Sequence, residues 1–195
     1  MKVLKTIGFW FIQSTWGCIM TLIGGFTACV LMIMGYKPKR FYNNIYFEVG
    51  ENWGAISLGG FFICSKDSYY ITKQHEAGHS IQNMLWGPLF PFVIGIPSLL
   101  RSQLRNQDSH LKKSLFNLVY FLGAGLATTL LACLGALVLH SKWFTISAEV
   151  LRLYFIGLSI WLSAVEIPKY DKQAVDYDSI WFEGQATKWG RKYFK

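Results

Sequence analysis

Between Lys5 and Lys37 the chain carries no charged residue, and a second charge-free run extends from Ser114 to Ser141. At 1.5 Å per residue each run exceeds the roughly 20 apolar residues that carry a helix across a bilayer core. Only 15% of the 195 residues are charged, whereas 52% are hydrophobic and 17% aromatic. Soluble domains carry about a quarter charged residues. The pattern predicts a mainly α membrane protein in which residues 6–36 form the first transmembrane helix, free to tilt or to break near Gly24-Gly25. The "MKVLK" start suits a signal peptide, but the apolar stretch is too long for one, and "FTAC" (26–29) continues straight into "VLMIMG". Residues 145–165 make a third span, in which Glu149 and Arg152 are spaced to pair on one helical face near the headgroups. Trp143-Phe144 sits where an interfacial aromatic anchor is expected. Residues 114–165 therefore read as a transmembrane hairpin, giving about three spans in a single membrane-embedded domain, 1–195.

Between the first span and the hairpin lie residues 37–113, which mix basic, aromatic and polar stretches. "KPKRFYNNIYFEVGENW" (37–53) is interfacial in character, and "GAISLGGFFICS" (54–65) reads as a strand or short hairpin. Thr72 or Ser68 can cap a helix that Gly87-Pro88 can end. The apolar run from Pro88 to Leu100 holds three prolines, so a surface-lying or re-entrant segment is expected there rather than a clean span. Basic residues crowd 37–113 and the tail, 166–195, but the connection at 141–152 offers only Lys142 and Arg152. The positive-inside rule then places the middle segment and the tail in the cytoplasm. The net charge of +8 thus reports topology first and affinity for anionic lipid second. Scattered basic residues without a reader motif exclude a nucleic-acid partner. Cys18, Cys29, Cys64 and Cys133 show no C-x-x-C pairing and read as small buried hydrophobes.

The chemistry lies in "KQHEAGHSIQN" (73–83). His75 and His79, four apart, share one helix face, and Glu76 lies beside the first. H-E-x-x-H supplies two metal ligands and a carboxylate able to take a proton from a metal-bound water. Zn2+ lowers that water's pKa toward about 7, which lets Glu76 generate a nucleophile at neutral pH. A catalytic zinc takes a third protein ligand. Leu85 stands where the long metzincin pattern needs histidine, and no Asp-Gly dipeptide offers the aspartate of an intramembrane protease. Glu183, in "FEGQATKWG", is the candidate, because E-x-x-A followed by a polar residue has the form of the downstream helix of a glutamate zincin. Thr187 is one turn on and can hydrogen-bond the free nitrogen of a ligand histidine. Two spans separate His79 from Glu183, so both lie on one side of the membrane. The charge bias requires the same.

An N-terminal anchor, H-E-x-x-H, a membrane hairpin and then E-x-x-A resembles the gluzincin membrane metallopeptidases, including the HtpX-like heat-shock proteases and the CAAX-prenyl proteases. The chain is also similar to a group of small bacterial membrane proteins carrying "HExGHxIQ", "GPxxPFxxxIPS" and "WFEGQATKxG". The resemblance implies a zincin-like α+β site region, with His75, His79 and Glu183 as ligands, Glu76 as base and a bacterial cytoplasmic membrane as the setting. It departs from the gluzincins at Thr187, where aspartate is usual. A donor for the developing oxyanion is also needed; His110, Tyr170, Tyr177 and Arg191 are the candidates. Asp176 and Asp178 read first as turn residues before the last helix and second as partners of a ligand. The strand before the histidine helix suits β-augmentation by substrate, or core packing. "GPLFPFVIGIPS" is expected to line a membrane-facing entry. The expected function is a membrane-bound zinc metalloendopeptidase acting on a membrane-associated peptide or protein. The alternatives are an intramembrane protease and a non-catalytic zinc-binding adaptor.

Overall fold

The structure, a computed structural model, describes residues 2–172 and 175–195. In chain order its elements are helices α1 (Lys2–Ser14) and α2 (Cys18–Ile33), strands β1 (Lys39–Phe41), β2 (Asn44–Glu48), β3 (Ala55–Leu58) and β4 (Phe61–Cys64), and helix α3 (Tyr70–Trp86). Helices α4 (Ile96–Arg105), α5 (His110–Cys133), α6 (Lys142–Trp161), α7 (Ile167–Lys172) and α8 (Trp181–Tyr193) follow. The chain divides into two compact units, Met1–Ile96 with Asp176–Lys195, and the inserted Pro97–Val175.

In the first unit the sheet runs in the order β1-β2-β4-β3. β3 and β4 form the antiparallel hairpin expected over 54–65, closed where Leu58 pairs with Phe61 and Gly59 takes φ 71°. A two-residue hairpin turn favours positive φ, which glycine adopts without a steric penalty. β1 and β2 occupy the stretch read as interfacial, and β2 runs parallel to β4, with Ile45 opposite Phe61. Alternation along the strands sorts side chains to two faces. Tyr46, Phe62 and Cys64 pack with Ala77 of α3, whereas Phe47 packs with Ala28 and Leu31 of α2. The sheet is therefore a middle layer between α2 and α3.

The run 6–36, expected as one span, is two helices meeting at 99°. The break falls at residues 15–17, not at Gly24-Gly25. Its cause is tertiary. Buried Gln13 donates to the Ser80 carbonyl (2.9 Å) and accepts from Asn83 Nδ2 (2.6 Å) and from Thr21 (3.1 Å). Asn83 also donates to the Gly17 carbonyl at 3.0 Å, using an acceptor that the elbow exposes. Left unpaired, such buried groups would each cost about 1–3 kcal/mol. Gly24 instead lets α2 lie on the hairpin, because a Cβ there would stand 2.3 Å from the Leu58 carbonyl oxygen.

α3 buries Gln74, Glu76, His79, Ser80, Gln82 and Asn83, which suits the polar segment between spans that its sequence predicts. Its N-cap is Tyr69, and it ends at Gly87 (φ 51°) as expected. Residues 87–95 continue through a tight turn and a π-helical turn, with Phe90 and Ile94 buried against Met20, Leu58 and Phe182.

In the inserted unit, α5 continues through a π-helical turn to Val138, and α6 continues through Leu162–Glu166 into α7. Among the described residues, these two stretches, His110–Val138 and Lys142–Asp171, are long and apolar enough to cross a membrane; the total is four if each of two bent pairs counts as one broken span. The molecule is thus mainly α with a small sheet, compatible with a membrane protein. α5 and α6 run antiparallel, clamped by Asn117 donating to Ser163 Oγ (2.6 Å) and to the Ser159 carbonyl (3.1 Å). Arg152 pairs with Glu149 at 3.2 Å, as their spacing predicts. Of the four cysteines only Cys64 is buried; Cys29 and Cys133 lie on outward faces of apolar helices.

Candidate metal centre

α3 presents His75 and His79 on one face, their rings 4.7 Å apart and nearly perpendicular. The two Nε2 atoms are 3.0 Å apart. α8 brings Glu183, fully buried, so that its Oε2 lies 3.0 Å from His75 Nε2 and 3.3 Å from His79 Nε2. Four donors around one metal at about 2.0–2.1 Å would be spaced by about 3.3–3.4 Å. The cluster is within a few tenths of that spacing. Among the described residues, these three form the group of His, Cys, Asp and Glu side chains that can hold a metal ion.

The helices meet this closely because both lack side chains at the crossing. A Cβ on Gly78 would stand 2.0 Å from the Ala186 carbonyl oxygen, and one on Gly190 would stand 2.1 Å from the Gln74 carbonyl oxygen. The backbone of α8 therefore rides on α3, with Glu183 above the histidines.

The surrounding hydrogen bonds fix both imidazole tautomers. Gln82 Nε2 donates to the Phe182 carbonyl (2.7 Å) and to Gln185 Oε1 (3.0 Å), which leaves Gln82 Oε1 as the acceptor facing His79 Nδ1 at 2.7 Å. His79 must carry its proton on Nδ1. Thr187 Oγ1 donates to Asp178 Oδ1 (3.0 Å) and therefore accepts from His75 Nδ1 at 2.7 Å. Both Nε2 lone pairs then point inward, together with a carboxylate oxygen. Three acceptors converging without a positive charge between them repel one another, and the cluster could hold a metal ion that relieves this. The same crowding draws a proton: burial pulls His79 down, but the Glu183 carboxylate outweighs it and raises His79 to about 9.

Glu76 is 6% exposed. Burial pushes its carboxyl up, His79 and His75 draw it back and the Glu183 charge adds to the rise. Tyr177 lies beside the cluster, its ring 5.8 Å from that of His75, and the Phe90 ring is 6.4 Å from that of His79. Arg191 is exposed in the last turn of α8. His110 and Tyr170 belong to the inserted unit. There His110 Nδ1 pairs with Asp171, and the Tyr170 ring lies 5.8 Å from the Arg101 guanidinium.

Thr187 stands where its spacing from Glu183 predicts. The sequence reading missed Gln82, visible only as a polar residue three beyond His79, and ranked Asp178 first as a turn residue. Asp176 and Asp178 both lie at that turn, Asp176 accepting from the Asp178 amide at 3.3 Å. The chain matches no family model, no curated protein and no solved structure.

Proposed function

We propose that this protein is a membrane-bound zinc metallopeptidase of the gluzincin kind, hydrolysing a peptide bond in a membrane-associated substrate from a cytoplasm-facing site. One observation carries the reading: two Nε2 lone pairs and a buried carboxylate oxygen converge, each imidazole held in the ligating tautomer by an acceptor behind it. Two imidazoles and one carboxylate suit zinc, whereas calcium and magnesium prefer all-oxygen shells. Three protein donors also leave the fourth position that catalytic sites keep open.

When bound, zinc would supply Lewis acidity, polarising a carbonyl and making water a nucleophile near neutral pH. The chain's own residues supply the rest. Glu76, buried beside both histidines with a raised affinity for protons, accepts a proton and returns it to the leaving amine. Tyr177, its ring 5.8 Å from that of His75, is the candidate donor for a developing oxyanion. β3 forms one edge of the sheet next to α3, where an extended substrate can add a strand.

Metal analysis of the detergent-purified protein tests the reading. Wild type should hold about one zinc per chain, and His79→Ala and Glu183→Ala markedly less. Glu76→Gln should keep the metal and lose peptide hydrolysis. Full metal retention by Glu183→Ala would refute the ligand set.

A further inference from the structure

Resting on that metal-centre reading, we infer that Asp178 is a positioning residue for the site, orienting His75 through the Thr187 hydroxyl. A hydroxyl alone holds an imidazole less firmly than a carboxylate does. Here the carboxylate arrives from outside the helix, one residue removed. Thr187 gives its proton to Asp178 Oδ1 at 3.0 Å and turns a lone pair to His75 Nδ1 at 2.7 Å. A hydroxyl polarised by donating to a carboxylate becomes a stronger acceptor, so the negative charge of Asp178 is felt at the imidazole.

Local structure is arranged for this reach. Asp178 sits in the short turn Tyr177–Ser179, capped by Asp176, immediately before α8. The first turn of α8 closes onto it at Gly184, where a Cβ would stand 2.7 Å from the Asp178 carbonyl oxygen. Any side chain at 184 would push the turn away and pull the carboxylate off Thr187. The glycine in "FEGQAT" thus acquires a role that the ligand pattern alone does not require. The two ligand histidines are held differently: His75 by a charge-assisted pair of bonds, His79 by the neutral Gln82 amide.

The test compares the metal affinity of variants by chelator competition and reads the ring nitrogens by 15N NMR of histidine-labelled protein. Asp178→Asn, which preserves shape but removes charge, should weaken zinc binding by about tenfold, and Thr187→Val by about 10- to 100-fold. Thr187→Ser keeps the relay and should stay within about threefold of wild type. Thr187→Asp brings a carboxylate into direct contact with His75 and sets it against Asp178, so adding Asp178→Asn to it should not weaken zinc binding further. That pair keeps the test open if Asp178→Asn alone folds poorly. In the metal-free wild type both ligand histidines should show protonated Nδ1, and Thr187→Val should lose that signature at His75 alone. If wild type and Asp178→Asn bind zinc equally while His79→Ala does not, the relay falls and the metal site stands. A wild type that takes up no zinc overturns both.

Discussion

Gly78 of α3 lies directly against the backbone of Ala186 in α8, so close that a Cβ at position 78 would stand 2.0 Å from the Ala186 carbonyl oxygen. Neither partner in that contact has a rotamer to change. Gly78→Ala would gain about 1 kcal/mol of helix propensity and lose about 1–3 kcal/mol to overpacking. The helices must separate, which carries Glu183 away from the histidines. Thermal unfolding should show a net loss of stability, and zinc affinity should fall by an order of magnitude or more. Gly190→Ala, one crossing further along, should behave alike. An alanine variant with native stability and native metal content would show that the crossing does not set the site.

Removing the metal is expected to loosen the first unit. A ligand that binds only the folded state at a hundredfold its dissociation constant stabilises by about 2.7 kcal/mol. For a chain of this size that corresponds to about 5–10 °C in Tm. Chelation should therefore lower the Tm of wild type by that amount and leave Glu183→Ala unmoved. Equal sensitivity of the two proteins would locate the effect elsewhere.

The parts of this arrangement legible in the sequence are those set by short spacing. His75 and His79 share a face because of the helical repeat, Glu183 and Thr187 for the same reason, and "GAISLGGFF" closes a hairpin on its glycines. The charge-free run from Ser114 to Ser141 likewise announces α5 of the inserted unit, and the apolar stretch 145–165 announces α6. What stayed hidden depends on partners far along the chain. The bend after Ser14 is held by Asn83, a residue 66 positions beyond the Gly17 carbonyl it bonds. β2 pairs in parallel with β4, passing over β3 in the chain, which no local pattern encodes. Asp178 lies in the turn that its sequence predicts; only folding of α8 onto α3 brings the Thr187 hydroxyl that its carboxylate holds behind His75.

Acid should expose a separate tie between the sheet and α3. Glu48 of β2 accepts from Lys39 at 2.5 Å and from Lys73 of α3 at 3.0 Å. The Lys39 hydrogen bond, with help from Lys73, holds the Glu48 carboxyl below its ordinary value of 4.5. A group whose folded value is depressed contributes stability that is present above the unfolded value and lost as pH falls through the folded one. Glu48→Gln should therefore be less stable than wild type at pH 7, and the gap should close on acidification below about 4.5. Urea or thermal unfolding at a series of pH values measures it. A gap that persists undiminished in acid would mean that packing, not charge, ties Glu48 to its partners.

Arg101 and Glu166 form a pair within the inserted unit, each side chain 1% exposed, with Arg101 Nε donating to Glu166 Oε2 at 3.0 Å. Lys169 donates to the other carboxylate oxygen at 3.0 Å but is itself 53% exposed. Removing one member of a buried pair strands the other's charge, at about 3–5 kcal/mol, whereas replacing both by apolar residues of similar volume is neutral or stabilising by about 1–4 kcal/mol. Glu166→Ala should lower the Tm sharply, because the buried Arg101 then loses the carboxylate that its Nε contacts. Arg101→Met combined with Glu166→Leu should recover most of that loss; Lys169, half in solvent, can hydrate once released. Wild type, Arg101→Met, Glu166→Leu and the double variant form a double-mutant cycle. Single losses that simply add in the double variant would mean that the two side chains, though in contact, are energetically independent.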